Sequence, residues 1–213
     1  MKTVGWHILY VLAIAVLLGF NMWIYHEYRM AYALVGKMTS EVRAYKSSVD
    51  VANASITFLA QSASSSCKYE GWDIGNYVIE DEKGEEYHIA DVLDAKRPKV
   101  VVFFSAQNCE SCVANMFQAI NDYDWDVSGK EMIVIGEFAN KRAAKAYVSR
   151  IKMPFALYYK NEANPVDILE NESSPFACVM YSDLIAHDVI FPVKEIPLYT
   201  RLYMKVIEDK YFK

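Results

Sequence analysis

The rhythm of apolar positions along this chain changes twice. Residues 6–25 (WHILYVLAIAVLLGFNMWIY) are apolar almost without interruption, His7 being the one ionisable side chain. About 20 residues at ~1.5 Å each just cover a hydrocarbon core of ~30 Å. Trp6 and Tyr10 at one end, with Trp23, Tyr25 and Tyr28 at the other, suit the two membrane interfaces. A cleavable signal peptide carries a shorter apolar core that ends at small residues. Here the run leads into Asn21-Met22-Trp23, so residues 1–26 are expected to be a retained transmembrane anchor.

The next stretch keeps an apolar stripe but at helical spacing. Gly36 is the only glycine between Gly19 and Gly71, and no proline precedes Pro98, as a continuous helix requires. Val35, Met38, Val42, Tyr45, Val49, Ala52, Ile56, Leu59 and Ala63 recur at alternating spacings of three and four, a heptad seam. Its a positions (Val35, Val42, Val49, Ile56, Ala63) are mostly β-branched, which favours a parallel two-stranded coil. Glu41 falls at g and Lys46 at the following e, where an interchain ion pair can form. Three readings stand: a homodimeric stalk over residues 27–68, one helix laying this stripe on its own globular domain, or a loosely ordered tether. The Ser62–Ser66 run is expected to loosen the chain before that domain, residues 69–213, begins.

Beyond it the pattern alternates strand and helix. Strands are predicted over residues 77–80 and 85–89 (a hairpin), 99–105, 132–138, 155–159, 176–181 and 189–191. Helices are predicted over 109–123, 140–153 with Asn140 as cap, 165–170 and 198–212. KVVVFFS and MIVIGEF are continuous apolar runs, as strands buried on both faces should be. The implied class is α/β, a three-layer domain around a central mixed sheet.

Composition narrows the function classes. With 54% apolar and aromatic residues the chain can build a sizeable core, and a formal charge of −5 without a basic patch argues against nucleic acid as a partner. Four cysteines are too few for a disulfide scaffold. Two of them form Cys109-Glu110-Ser111-Cys112, whereas Cys67 and Cys178 stand alone.

The C-x-x-C follows a buried strand and opens a helix. Free N–H groups and the positive end of the helix dipole there stabilise a thiolate. Three-residue spacing puts Cys112 one turn on, with Cα atoms at roughly 5–6 Å, the range a disulfide needs. Cys109 is then the attacking thiolate and Cys112 the resolving thiol. Glu110 opposes ionisation of its neighbour and Ser111 can donate a hydrogen bond to sulfur, so these two tune the pair in opposite senses. A zinc site would need two further ligands beyond this pair, and only Cys67 and Cys178 remain, without any histidine pair, so no metal is expected. An inert or merely structural cysteine pair is the plainer alternative. Asp122, Asp124 and Asp126 imitate the start of a calcium loop, but Val127 and Ile133 stand where glycine and the closing glutamate belong.

Over residues 77–213 these features resemble membrane-tethered thioredoxin-like proteins of the TlpA- and ResA-type redoxin branch. The resemblance rests on the hairpin, the strand–loop–C-x-x-C helix, the second strand and helix, and an inserted strand and helix before the closing hairpin. It implies that Ser174 borders the active site and that Pro175 is the family's cis-proline, the two contacting bound substrate. It further implies disulfide- or thiol-bearing clients among exported proteins, a membrane redox partner that resets the cysteines, and no bound cofactor. Asn108 stands where the family carries tryptophan, and Ser111 where it often carries proline. A basic residue count of Lys2 against Arg29, Lys37 and Arg43 leans towards a cytoplasmic domain. The resemblance and the need for an oxidising compartment favour the opposite, periplasmic side. The competing function class is a non-catalytic adaptor in a membrane assembly.

Overall fold

The computed structural model describes residues 2–122, 131–151, 153, 155, 157–161, 166–172 and 174–212, with the backbone alone for residues 2–6 and 167. Contacts divide the chain into Met1–Ala54 and Ser55–Lys213. The first unit belongs to one helix, α1 (Lys2–Tyr69), whose described apolar side chains there are exposed, among them Leu9, Val16 and Trp23. Among the described residues this is the one helix long and apolar enough to cross a membrane.

The second unit opens on the last turns of α1. Ser62–Ser66 stay helical here, contrary to the loosening expected from their composition. The physical reason is tertiary. Ser62 is buried and donates its hydroxyl to the Phe191 carbonyl at 2.7 Å, and Ser65 meets Glu172 at 3.3 Å. Hydroxyls so engaged no longer compete for the helix's own carbonyls. Tyr69 closes the helix, buried between Trp72 and Phe191 at centroid distances of 5.6 and 5.9 Å.

Seven strands follow: β1 (Val78–Glu80), β2 (Glu86–His88), β3 (Lys99–Ser105), β4 (Met132–Phe138), β5 (Leu157–Asn161), β6 (Phe176–Met180) and β7 (His187–Ile190). They form one sheet in the order β2-β1-β5-β4-β3-β6-β7. β3, β4 and β5 run parallel; β6 and β7 are antiparallel on one side, and the β1–β2 hairpin is antiparallel on the other. The helices are α2 (Ile89–Val92), α3 (Glu110–Asn121), α4 (Lys141–Ile151), α5 (Asp167–Asn171) and α6 (Pro197–Tyr211). Strand alternation splits the core in two. Val100, Val102, Phe104 and Val134 face α3, α4 and α6, while Val101, Phe103, Ile133 and Ile135 face Tyr69, Ile89 and Ile168. The expected mixed three-layer α/β architecture is therefore present.

β3 and β4 occupy the expected residues, and Asn140 Oδ1 accepts the Ala143 N–H at 2.9 Å as a helix cap. Two details differ. β5 lies two residues later than its apolar pattern suggests, because pairing with β4 runs on to Phe138↔Asn161 while Phe155 turns into the core. Ile89 opens α2 instead of ending a strand, since the Asp91 carboxylate accepts the His88 N–H at 3.2 Å. Tyr123, Asp124, Asp126, Val127 and Pro165 lie outside the described residues; Ile133 is a buried strand residue.

At the end of β4 the Glu137 carboxylate meets Lys160 Nζ at 2.8 Å and accepts the Val166 N–H at 3.0 Å, all inside the protein. The Ala106 N–H bonds the Glu137 carbonyl at 3.1 Å, tying the loop after β3 to this buried pair. Removing one partner strands a charge in low dielectric. Glu137→Ala should lose about 3–5 kcal/mol of unfolding free energy, read as a lowered denaturation midpoint in urea.

Candidate active site

β3 delivers the chain to the site. After Ser105 the Asn108 side chain folds back and accepts the Ser105 N–H at 2.7 Å, while the Asn108 N–H donates to the Ser105 carbonyl at 3.2 Å. Asn108 is buried, so this turn is shielded from water. The turn places Cys109 at the N-cap of α3, where the Cys112 and Val113 N–H groups bond the Cys109 carbonyl at 2.9 and 3.1 Å. Val113, Met116, Phe117 and Ile120 bury the other face of α3 against the sheet. A buried helix root with a surface-facing start leaves Cys109 half-buried and Cys112 buried, both as free thiols.

The two sulfurs have opposed acidities. Burial resists ionisation of Cys109, but hydrogen bonds from the Cys112 thiol, the Ser111 hydroxyl (3.0 Å) and the Cys112 N–H outweigh it, as does the Lys194 charge; its pKa is lowered to about 7. Burial pushes the Cys112 thiol up to about 12, helped by the hydrogen bond it gives Cys109 and by the negative charge there. Near neutral pH the first sulfur is therefore about half ionised and the second remains a proton-bearing donor.

Glu110, expected to oppose the thiolate, reaches across to α4. Its carboxylate meets Arg150 Nε on α4 at 3.1 Å, so its charge has a partner of opposite sign; both groups are more than half exposed. The Ser111 hydroxyl lies within hydrogen-bond distance of Cys109 Sγ. Ser174 lines a groove of about 340 Å³ together with Cys112, Phe58, Ser62, Phe191 and Lys194. Pro175 is buried beside it at the entrance to β6 and does not line that groove. The Ser174–Pro175 bond is trans, correcting the cis expectation: no described peptide bond is cis, and trans is the lower-energy form of an X–Pro bond by about 0.5–1 kcal/mol. Cys178 is a fully buried strand residue directed at the Val101 carbonyl, its thiol held far above its ordinary range by burial. Cys67 is exposed on α1. Among the described residues no three His, Cys, Asp or Glu side chains gather where a metal could bind.

A C-x-x-C pair at the start of a helix, fed by a buried strand that pairs in parallel with β4 on one side and antiparallel with β6 on the other, decides the architecture. The fold is thioredoxin-like.

No protein-family model and no curated protein matches the chain. Solved structures similar to it include a protein provisionally described as thiol:disulfide interchange protein DsbE from Chlorobium tepidum, at 11% identity and TM-score 0.47, covering 64% of this chain and 96% of that one. A thiol:disulfide interchange protein from Bacteroides sp. is 15% identical at TM-score 0.45, covering 68% and 91%. The thioredoxin domain of a thiol-disulfide oxidoreductase from Bacteroides vulgatus is 14% identical at TM-score 0.43, covering 64% and 97%. The assignment of the thioredoxin-like domain rests on its own sheet order and on the placement of the cysteines within it.

Sequence reasoning missed three contributors to this site. Lys194, in the loop after β7, lowers both thiols, yet nothing in its spacing connects it with the cysteines. Asn115 reaches from α3 to the Val193 carbonyl at 3.4 Å and so ties that loop to the cysteine helix. Tyr147 on α4 has a buried hydroxyl with no hydrogen-bond partner among the described residues, and after burial and Glu110 the sulfurs are among the influences raising its pKa. A polar residue among the apolar positions of α3 was the one readable signal, for Asn115.

The acidities predict a reactivity profile. Alkylation of Cys109 by iodoacetamide should titrate with a midpoint near pH 7, set by its pKa of about 7, while Cys112 stays unreactive across that range. Lys194→Met removes a favourable charge, so the Cys109 midpoint should move to higher pH. A midpoint unchanged by Lys194→Met would exclude that charge as a contributor.

Proposed function

We propose that this protein is a membrane-tethered thiol–disulfide oxidoreductase that exchanges its Cys109/Cys112 dithiol with disulfides of exported proteins. The single observation that carries the reading is the placement of two free thiols one helical turn apart, Cys109 half-buried at the N-cap of α3 and Cys112 buried one turn on, with opposed acidities in support. In the reducing direction the Cys109 thiolate attacks one sulfur of a client disulfide. A mixed disulfide forms, and the other client sulfur leaves as a thiolate that takes up a proton. Cys109 is then neutral and no longer accepts a hydrogen bond from Cys112. Two of the influences that hold the Cys112 proton disappear with that charge, so the first step prepares the second. Cys112 loses its proton and attacks Cys109 Sγ, closing the Cys109–Cys112 disulfide and releasing the second client thiol. The client gains two electrons and the protein loses them. A membrane redox partner restores the dithiol, and no bound cofactor is needed, because the electrons travel through sulfur.

Ser174, on the wall of the groove that Cys112 also lines, supports a role in holding the client chain, with Pro175 setting the path of the backbone behind it. The apolar run at residues 6–25 supports anchoring in the bacterial inner membrane, with the thioredoxin-like domain on the periplasmic side where client disulfides form.

Substitution of single cysteines separates this reading from a non-catalytic adaptor. Cys112→Ala should accumulate a mixed disulfide between Cys109 and clients, visible on non-reducing gels and lost on adding dithiothreitol. Cys109→Ala should reduce insulin-disulfide turnover to background and trap nothing. If Cys109→Ala leaves cellular function intact and Cys112→Ala traps no client, the adaptor reading replaces this one.

A further inference from the structure

We propose that the heptad seam of α1 pairs with the same seam of a second copy, forming a parallel, in-register two-stranded coiled coil over residues 35–63. This inference is independent of the thiol chemistry.

The seam is apolar and, apart from half-buried Leu59, exposed. Val35, Val42, Tyr45 and Ile56 are 61, 66, 75 and 63% exposed, an arrangement that places large apolar side chains in water along four heptads. The obvious internal partner for such a stripe is the chain's own domain, and it uses a different one. Within the Ser55–Lys213 unit, Ser62 and Tyr69 are the buried residues of α1, and Phe58 and Ser65 stand above and between them on the same side. That domain-facing side carries 62, 65, 66 and 69, with the seam's Leu59 half-buried at its edge, whereas the exposed seam residues there are 56 and 63. At 3.6 residues per turn the two sets lie roughly 120° apart on the helix. Ile56 and Ala63 accordingly remain exposed although Ser62 beside them is buried.

What the seam is built to meet follows from its chemistry. Four of its five a positions are β-branched, and d carries Met38, Tyr45, Ala52 and Leu59. Ile and Val at a favour two parallel strands. Charge points the same way. Glu41 and Lys46 are the only charged residues at the g and e positions of the seam, and in a parallel pair each Glu41 faces Lys46 of the other copy. An antiparallel pair would instead set g against g and e against e, like against like. The proposed anchor over residues 6–25 adds a geometric reason, since two copies inserted through the same segment leave the membrane in the same direction. A second copy of this chain satisfies the apolar pattern, the charge pattern and that direction together.

Cysteine cross-linking of the full chain in detergent micelles tests the proposal, in a Cys67→Ser, Cys109→Ser, Cys112→Ser background that removes the competing accessible thiols. Under mild oxidation, Val35→Cys, Val42→Cys and Val49→Cys should each give a band at twice the monomer mass. Ser40→Cys and Ser47→Cys, at the outward f positions, should not. Cross-linking at only one of the three a positions, equally strong cross-linking at the f positions, or none anywhere would each overturn the parallel in-register pairing. A mass measurement on the unsubstituted chain tests the pairing independently. It should find a dimer that Val42→Asp combined with Val49→Asp converts to monomer, and an unsubstituted chain that is monomeric at micromolar concentration overturns the proposal.

Discussion

The Asn108 amide, accepting the Ser105 N–H at 2.7 Å, governs the geometry of everything near the cysteines. A chain leaving a buried strand must satisfy its last backbone groups or lose about 1–3 kcal/mol for each one left unpaired. This side chain answers that need within three residues, and in doing so it turns the backbone so that α3 starts at Cys109. The Cys112 N–H, the Cys112 thiol and the Ser111 hydroxyl then converge on a single sulfur. Asn108 itself is a compact, buried, hydrogen-bonding amide. The loop is consequently held from within by a polar turn.

Packing supplies the rigidity that such a site requires. Phe104 at the end of β3 meets Phe117 of α3 edge-on at 5.7 Å, Phe138 of β4 at 5.6 Å and Tyr147 of α4 at 5.7 Å. That cluster leaves no room over Gly136, where an added Cβ would lie 2.7 Å from the Phe138 ring and 2.9 Å from Leu157. The aromatic clamp, the buried Glu137–Lys160 pair and the Glu110–Arg150 contact all join α3 or its approach loop to neighbouring elements. Their contributions differ. The exposed Glu110–Arg150 pair is worth below about 1 kcal/mol, whereas the buried pair is costly to break.

Much of the fold was legible because β3, β4 and β6 are short, apolar and buried on both faces, a pattern few other elements share. β3 and β4 were readable to the residue for this reason, and Asn140 announced α4. Legibility failed where tertiary partners override local chemistry. Ser62–Ser66 read as a break but continue a helix, since Phe191 and Glu172 occupy two of its hydroxyls. Glu110 read as a charge beside a thiol, but its partner Arg150 comes from another helix.

By itself the amino-acid order determined the placement of two cysteines three residues apart, after a buried strand and at a helix start, behind an apolar segment long enough to span a membrane. Such features depend on neighbours along the chain, where spacing translates directly into geometry. Of the influences on the two sulfurs, Ser111 and the cysteines themselves are local, while burial and the Lys194 charge came only with the tertiary structure. Burial, the Lys194 charge and the loop held by Asn115 come from residues distant in sequence, and an electrostatic field in a folded protein sums over neighbours in space. The same holds for α1, whose heptad seam is written in its sequence while the face its own domain occupies emerges only on folding.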